Sequence, residues 1–390
     1  MNKRFFQPIA ILLTFVTIVL VMPPAVMVSD MGELPPGFVK PTPETPPDNN
    51  PQTQPPTDPV NTTDPTDDPG EGPGTEPLPT PDPVVTITIS AAGDVTLGGD
   101  ASWGSYQNFM NEFIANDRDF GFPFRNVKHI FEEDDLTIVN FEGTLTNSSQ
   151  TREKRFNFRA PPEFAASLVL GNINVVSLAN NHSGDFLDAG YRDTIEHLDN
   201  AGIYSFGYDR NTIIEVKGIN IGLFGFNYVL DNTSEQKRKD DIAAAIEDLR
   251  NRGAQLIIAY FHWGEENRYK PNSIQRDHGR FTLDSGADLV LGAHPHVIQG
   301  IEEYNGRNIV YSLANFSFGG NRWPPDYDTF IFQQTFTFVN GVLQEDNVTN
   351  IIPARESSAR NHNNYQPTIA EGQEATRILA EIQRLSNELN

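Results

Sequence analysis

The chain has 390 residues, no cysteine, Lys+Arg 28 against Asp+Glu 52, and a formal net charge of −24. Zero cysteine excludes a disulfide scaffold, a thiolate metal site, a cysteine nucleophile and an acylated lipoprotein anchor. The acidic balance excludes a general nucleic-acid binder, whose phosphate contacts need clustered Lys and Arg.

In chain order, the first element is an export or anchoring signal. Lys3 and Arg4 precede the apolar run Ile9–Met22, and Ala25–Val28 prolongs it beyond Pro23-Pro24 to about the 20 residues that span a bilayer. No clean A-x-A cleavage site follows, so residues 1–28 read as an uncleaved anchor with its basic end inside; a cleaved signal is the alternative. Either one puts the rest of the chain outside the membrane, on the extracytoplasmic face of the cell membrane or secreted. Residues 29–83 hold 17 of the 29 prolines and eleven acids against the single base Lys40. Such a composition builds no core and is expected to be a disordered, semi-extended linker.

A folded domain is expected over 84–355, followed by a polar segment and a C-terminal helix over 356–390. Val84–Ser90 is β-branched and alternating, a good first strand. Leu136–Val139, Asn174–Ser177, Ile219–Phe224, Leu256–Tyr260 and Asp288–Leu291 are short apolar runs suited to buried strands. Helical patterns lie between several of them, one with Ile242, Ile246 and Leu249 as its apolar stripe. After Gly300 the pattern predicts meandering strands over Ile301–Tyr304, Asn308–Tyr311, Phe330–Phe338 and Val342–Val348. They turn at Asn305-Gly306 and Asn340-Gly341. Ile378, Leu379, Ile382 and Leu385 recur at helical spacing near the C-terminus, as a helix packed on the body requires. The class is α/β.

Chemistry-bearing residues gather at the strand exits. Gly93-Asp94 follows the first strand, Asn140-Phe141-Glu142 the second and Asn180-Asn181-His182 the third. His262-Trp263-Gly264 follows the Leu256 strand, and His294-Pro295-His296 the Leu289 strand. Ligands of open α/β sheets bind outside the carboxyl ends of strands, so these groups can converge. Carboxylate, carboxamide and imidazole donors together suit Zn, Mn or Fe. Singly, each has a plainer reading: a turn at Gly93-Asp94, a cap at Glu142, a left-handed turn at Asn181. Four of the eight histidines nevertheless sit at strand exits, and His129, His197, His278 and His362 do not.

The order Gly-Asp, Asn-x-Glu, Asn-Asn-His, His-Trp-Gly and His-Pro-His resembles the poly-γ-glutamate capsule biosynthesis (CapA-type) family. That family is similar to the calcineurin-like metallophosphoesterases. Ser177–His182, Val297–Glu302 and Tyr311–Phe316 extend the match, which covers about residues 86–350. The resemblance implies a four-layer α/β/β/α sandwich of metallophosphoesterase type with a site on one edge of the paired sheets. Carried over residue by residue, Asp94 and His296 would hold one divalent metal. Asn181, His262 and His294 would hold a second, with Glu142 bridging. His182 would take the place of a general acid. The implied mechanism is two-metal hydrolysis with ions about 3.5–4 Å apart.

There are departures. Phosphoesterases of this type usually carry a histidine where this chain has Thr96, and an aspartate where it has Glu142, so one metal site is a ligand short. Ala293, Ala314 and Gly319 are milder departures.

Two functions of different class follow. One is an active metal-dependent phosphoesterase or related hydrolase at the cell surface. The other is an anchored component that binds poly-γ-glutamate and assists a membrane synthetase complex in its elongation or export. Arg152, Lys154, Arg155 and Arg159 form a basic cluster in an otherwise acidic domain, and Arg155 and Arg159 are the expected contacts for substrate carboxylates. A third reading, a non-catalytic cell-wall binder, rests on the linker and on Trp323 and Tyr327.

Overall fold

A computed structural model describes residues 82–229 and 231–389. The expected anchor over 1–28, and all but the end of the linker over 29–83, lie outside the described residues. The first half runs β1 (Val84–Thr96), α1 (Ser105–Ala115), α2 (Lys128–Glu132), β2 (Leu136–Phe141), β3 (Thr144–Leu145) and β4 (Arg159–Ala160). Next come α3 (Ala165–Leu170), β5 (Val175–Ser177), α4 (Leu187–Asn200), β6 (Tyr204–Phe206), β7 (Thr212–Val216) and β8 (Ile219–Asn227). The second half continues with α5 (Glu235–Asn251), β9 (Leu256–His262), α6 (Ser273–Asp284), β10 (Leu289–Ala293), β11 (Ile301–Tyr304) and β12 (Arg307–Val310). It closes with β13 (Asn315–Phe318), β14 (Asp328–Val339), β15 (Val342–Leu343), β16 (Val348–Arg355), β17 (Thr368–Ile369) and α7 (Gly372–Asn387).

Two sheets result. The larger has the order β17-β16-β14-β1-β2-β5-β6, with β13 also on β1 and β15 on β14; the smaller has the order β11-β12-β10-β9-β8-β7. Strand periodicity explains how they stack. On β9, Leu256, Ile258 and Tyr260 turn one way and join Ile87, Ile89, Leu136 and Ile138 of the other sheet in a shared core. The alternate residues Ile257, Ala259 and Phe261 turn outward to Ile242, Ile246 and Leu249 of α5 and Leu283 of α6. On the larger sheet Val139, Phe141 and Val176 likewise face outward, against Phe109 of α1, Phe131 of α2, Leu168 of α3 and Leu198 of α4. The order of layers is helices, sheet, sheet, helices, the four-layer α/β/β/α sandwich that the sequence resemblance implies. Both faces of the central strands are buried, which is why they read as continuous apolar runs rather than as alternation.

The sequence pattern leaves the short strands β3, β4, β6, β7, β13 and β17 unmarked, and two of the strands it marks differ in extent. The first strand does not stop at Ser90 but runs through Asp94 to Thr96. It can do so because its register shifts between Ala92 and Asp94, leaving Gly93 as the extra residue of a bulge. A Cβ on Gly93 would lie 1.8 Å from the Ala314 carbonyl oxygen, so only glycine fits. The run Val342–Val348 is two strands, β15 and β16, interrupted by the polar Gln344–Asn347. Both Asn-Gly turns form with φ positive at each residue, as a type I′ hairpin demands. Helix α7 buries Ile378, Ile382 and Leu385 in the inter-sheet core. Among the described residues, no helix is long and apolar enough to cross a membrane.

Candidate metal centre

The two central parallel runs, β1-β2-β5 and β8-β9-β10, end at the same edge, and their last inward positions carry the polar groups. On β2 the inward series Leu136, Ile138 is completed by Asn140; on β9 the series Leu256, Ile258, Tyr260 is completed by His262. The Gly93 bulge turns Asp94 to the same side, where Asn140 Nδ2 donates to Asp94 Oδ1 at 2.8 Å and lies 3.2 Å from His262 Nδ1. Asn180 Nδ2 donates to the Phe141 carbonyl at 2.8 Å and to Asn140 Oδ1 at 3.2 Å, tying the β5 exit to the β2 exit.

Around that frame the structure brings together all six residues that the resemblance implies as ligands. Asp94, Glu142 and His296 offer donor atoms within 4.8 Å of one another, and so do Glu142, His262 and His294. Glu142 is common to both groups. Asn181 Oδ1 lies 2.7 Å from His262 Nε2, which faces Glu142 Oε1 at 3.6 Å. His296 Nδ1 is 2.8 Å from Asn315 Oδ1 and 3.2 Å from Asp94 Oδ2. His294 and His296 both adopt left-handed backbone, with φ of 95° and 57°. That is uncommon for non-glycine residues and clusters at functional sites. Ala314, beneath Gly93, does the same at φ 61°.

The donors fit a divalent cation. Glu142 is 0% exposed, yet neither of its carboxylate oxygens has a hydrogen-bond partner, and buried His294 Nδ1 has none. A buried carboxylate left this way is costly unless a cation compensates it. Burial, then the neighbouring Asp94 carboxylate, pushes the Glu142 carboxyl well above the ordinary range. Burial holds the His262 imidazole well below its ordinary value and brings His294, beside His296, down to about 3. Both therefore keep a ring nitrogen lone pair free at neutral pH. His296 is the exception: burial works against its charge, but the hydrogen bond to Asp94 and the Glu142 carboxylate raise it to about 10.

His182 stands at the rim of this cluster, with Nε2 3.8 Å from Glu142 Oε1. Its ring stacks on Phe158 at 4.1 Å between centroids, and its Nδ1 lies 2.7 Å from Asp185 Oδ2. Burial lowers the His182 pKa, with the Asp185 hydrogen bond opposing it. Asp185 also accepts the Phe158 backbone N–H at 2.6 Å and Lys154 Nζ at 2.6 Å. Lys154 reaches the Asn181 carbonyl as well, at 2.8 Å.

Sequence reasoning missed Asp185 as a partner for His182, although its position three residues on offered that signal. It also grouped Lys154 with the surface bases, whereas Lys154 turns in. Arg155 turns out, its guanidinium over the rings of Trp103 and Phe156 at 5.4 and 4.9 Å. Arg159 covers Phe186 and Tyr106 and donates to the Ser148 carbonyl at 2.6 Å. Trp323 is exposed under Arg322, and Tyr327 lies under Arg355. Thr96, at the expected gap, is buried and donates its hydroxyl to the Glu142 carbonyl at 2.6 Å.

Residues 88–320 match the model of the family described as bacterial capsule synthesis protein PGA_cap. The PGA biosynthesis protein CapA of Bacillus subtilis (strain 168) is 30% identical over 253 residues, 60% of this chain and 65% of that protein. The capsule biosynthesis protein CapA of Bacillus anthracis is 26% identical over 270 residues, 63% of this chain and 63% of that protein. The chain thus spans slightly less than two thirds of the length of these curated relatives. A purple acid phosphatase from yellow lupin seeds aligns over 75% of this chain and 55% of its own, at 11% identity and a TM-score of 0.30, too low a likeness to carry an argument. The matched span holds every strand exit described above and more than half of the sequence: the chain belongs to the bacterial capsule synthesis protein PGA_cap family.

Proposed function

We propose that this chain is an extracytoplasmic, membrane-anchored component of poly-γ-glutamate capsule synthesis or export, and that it works through a divalent-metal centre at the paired-sheet edge. The observation that carries the metal centre is Glu142, fully buried with both carboxylate oxygens unpartnered and ringed by His262, His294 and His296. Asp94 and His296 on one side, and Asn181, His262 and His294 on the other, would hold one or two ions of Mn, Zn or Fe with Glu142 between them. A bound ion would supply Lewis acidity toward an anionic oxygen and a nucleophile at neutral pH.

The chain's own residues do the rest. His182, kept largely neutral by burial and oriented by Asp185, is built to hand a proton to or from a group at the cluster rim. Lys154 fixes the Asp185 carboxylate and the Asn181 carbonyl together, so the His182 ring and the Asn181 side chain keep a common position. Arg155 and Arg159 are the proposed contacts for carboxylates of the polymer or for a membrane synthetase's acidic face. The anchor rests on the Lys3-Arg4 and Ile9–Met22 pattern.

A second reading has one observation in its favour. Thr96 spends its hydroxyl on a backbone carbonyl, so it offers no ligand where phosphoesterases have one, as expected of a polymer-handling component without turnover.

Elemental analysis of the full-length chain tests both, beside the His294→Ala/His296→Ala variant. One or two equivalents of Mn, Zn or Fe, lost in the variant, with hydrolysis of a chromogenic phosphoester, supports the hydrolase. Metal without turnover supports the polymer-handling role, and no metal after reconstitution sinks the metal centre itself.

A further inference from the structure

Thr96 leaves the Asp94 side of the cluster a donor short, and a residue far from it in sequence stands at the gap. Glu142 faces both His294 and His296, Asp94 faces His296, and Glu266 offers a third carboxylate to the same pair of imidazoles. The Glu266 carboxylate, in the loop after β9, lies within 4.8 Å of ring nitrogens of both His294 and His296. The position is built rather than incidental. The adjacent Asn267 N–H donates to the Pro295 carbonyl at 2.8 Å, pinning the loop to the residue between the two histidines. Gln299 Nε2 donates to the Arg268 carbonyl at 2.7 Å from the other side. Gly264 opens the loop at φ 86°, where a Cβ would lie 2.6 Å from Gln275 Oε1. The neighbouring Glu265 is paired with Arg268 at 3.6 Å, while no Lys or Arg ion pair takes Glu266 among the described residues. His294, 4% exposed and with Nδ1 unpartnered, supplies the buried donor of this group.

We infer that Glu266 is a direct ligand of the metal centre, giving its carboxylate to the divalent cation that Asp94 and His296 would hold, next to His294, in place of the donor that Thr96 withholds. The inference rests on the metal-centre reading and extends it. An exposed carboxylate at the mouth of a site for anionic groups repels them; bound to a cation, its charge is cancelled and it closes the coordination sphere from the solvent side. A further oxygen from Glu266, beside those of Asp94 and Glu142, also shifts the centre toward Mn or Fe.

The test is calorimetric titration of the full-length chain with Mn2+, together with the visible absorption of the Co2+ form, which reads the ligand set directly. Glu266→Gln is expected to weaken at least one Mn2+ equivalent by about tenfold or more, the lower end of what loss of an outer hydrogen-bond partner already costs. It should also alter the Co2+ bands. Glu265→Gln, one residue away and also exposed, leaves both unchanged. If Glu266→Gln binds Mn2+ with unchanged affinity and an unchanged Co2+ spectrum while His294→Ala/His296→Ala binds none, the metal centre stands and the Glu266 ligand is overturned. Equal weakening by Glu265→Gln would reduce the effect to bulk charge and overturn it too. A wild-type chain that takes up neither ion overturns the centre and this ligand together.

Discussion

Among the described residues, two places bring acids and a histidine within 4.8 Å of one another: the strand-exit cluster around Glu142, and Glu235, Asp277 and His278 on the outer helices α5 and α6. His278 is buried, with neither ring nitrogen hydrogen-bonded, so by that measure the two resemble each other. The acids separate them. Glu235 and Asp277 are exposed, and Lys239 reaches both, with its Nζ 2.5 Å from Asp277 and 3.7 Å from Glu235. An ammonium already supplies the positive charge there, in solvent, on side chains free to move. Glu142 has no Lys or Arg ion pair among the described residues: its carboxylate is enclosed where strands of two sheets end and faces imidazoles and Asp94, with His296 as the nearest positive group. Proximity of ligating atoms is therefore a weak criterion. A fully buried carboxylate with neither oxygen hydrogen-bonded and no Lys or Arg ion pair is a strong one.

The comparison breaks most clearly on metal content. Glu142→Ala is expected to remove bound metal from the full-length chain, whereas His278→Ala keeps the wild-type stoichiometry by elemental analysis. Metal retained in the first, or lost in the second, would reverse the assignment of the two clusters. Next in size is proton transfer. Asp185→Asn should lower phosphoester turnover by about 10²–10⁴ while metal content holds, as loss of an oriented acid–base group does. Equal turnover would mean that the His182–Asp185 pair only packs. Third is linkage: a cation at about 100 times its Kd adds about 2.7 kcal/mol to the stability of whatever binds it. Wild type and His278→Ala should both show that gain in thermal unfolding with Mn2+, and Glu142→Ala should show none. The smallest effect belongs to the outer cluster, where Asp277→Asn should cost less than about 1 kcal/mol in denaturant unfolding, as exposed ion pairs do.

Much of the fold was legible because its strands are short, apolar and buried on both faces, so their positions followed from composition alone. The stripe of Ile242, Ile246 and Leu249, and both Asn-Gly turns, were equally plain, being set by side-chain period and by the need for positive φ. What misleads is local: the strand pattern reads as ending at Ser90 because Gly93 looks like a turn, when it is the bulge that carries β1 on under Ala314. The run from Val342 to Val348 looked continuous because apolar ends hide a polar middle.

The site divides the same way. The residue types at the strand exits belong to the sequence, since Asp94, Glu142, Asn181, His182, His262, His294 and His296 are each fixed by position after an apolar run. Their convergence belongs to tertiary structure, because it depends on two sheets stacking with their carboxyl ends aligned and on a one-residue bulge that re-aims Asp94. The same holds for the partners. Lys154 meets His182 across 28 residues that include β4, α3 and β5, and Glu266 reaches two histidines 28 and 30 residues later, so no local period marks them; Asp185, three residues after His182, is the local exception. Sequence determines which chemistry can sit at a strand end, through side-chain period and burial. Only the folded chain decides which of those ends face one another, since that is set by sheet twist, register and backbone close approach.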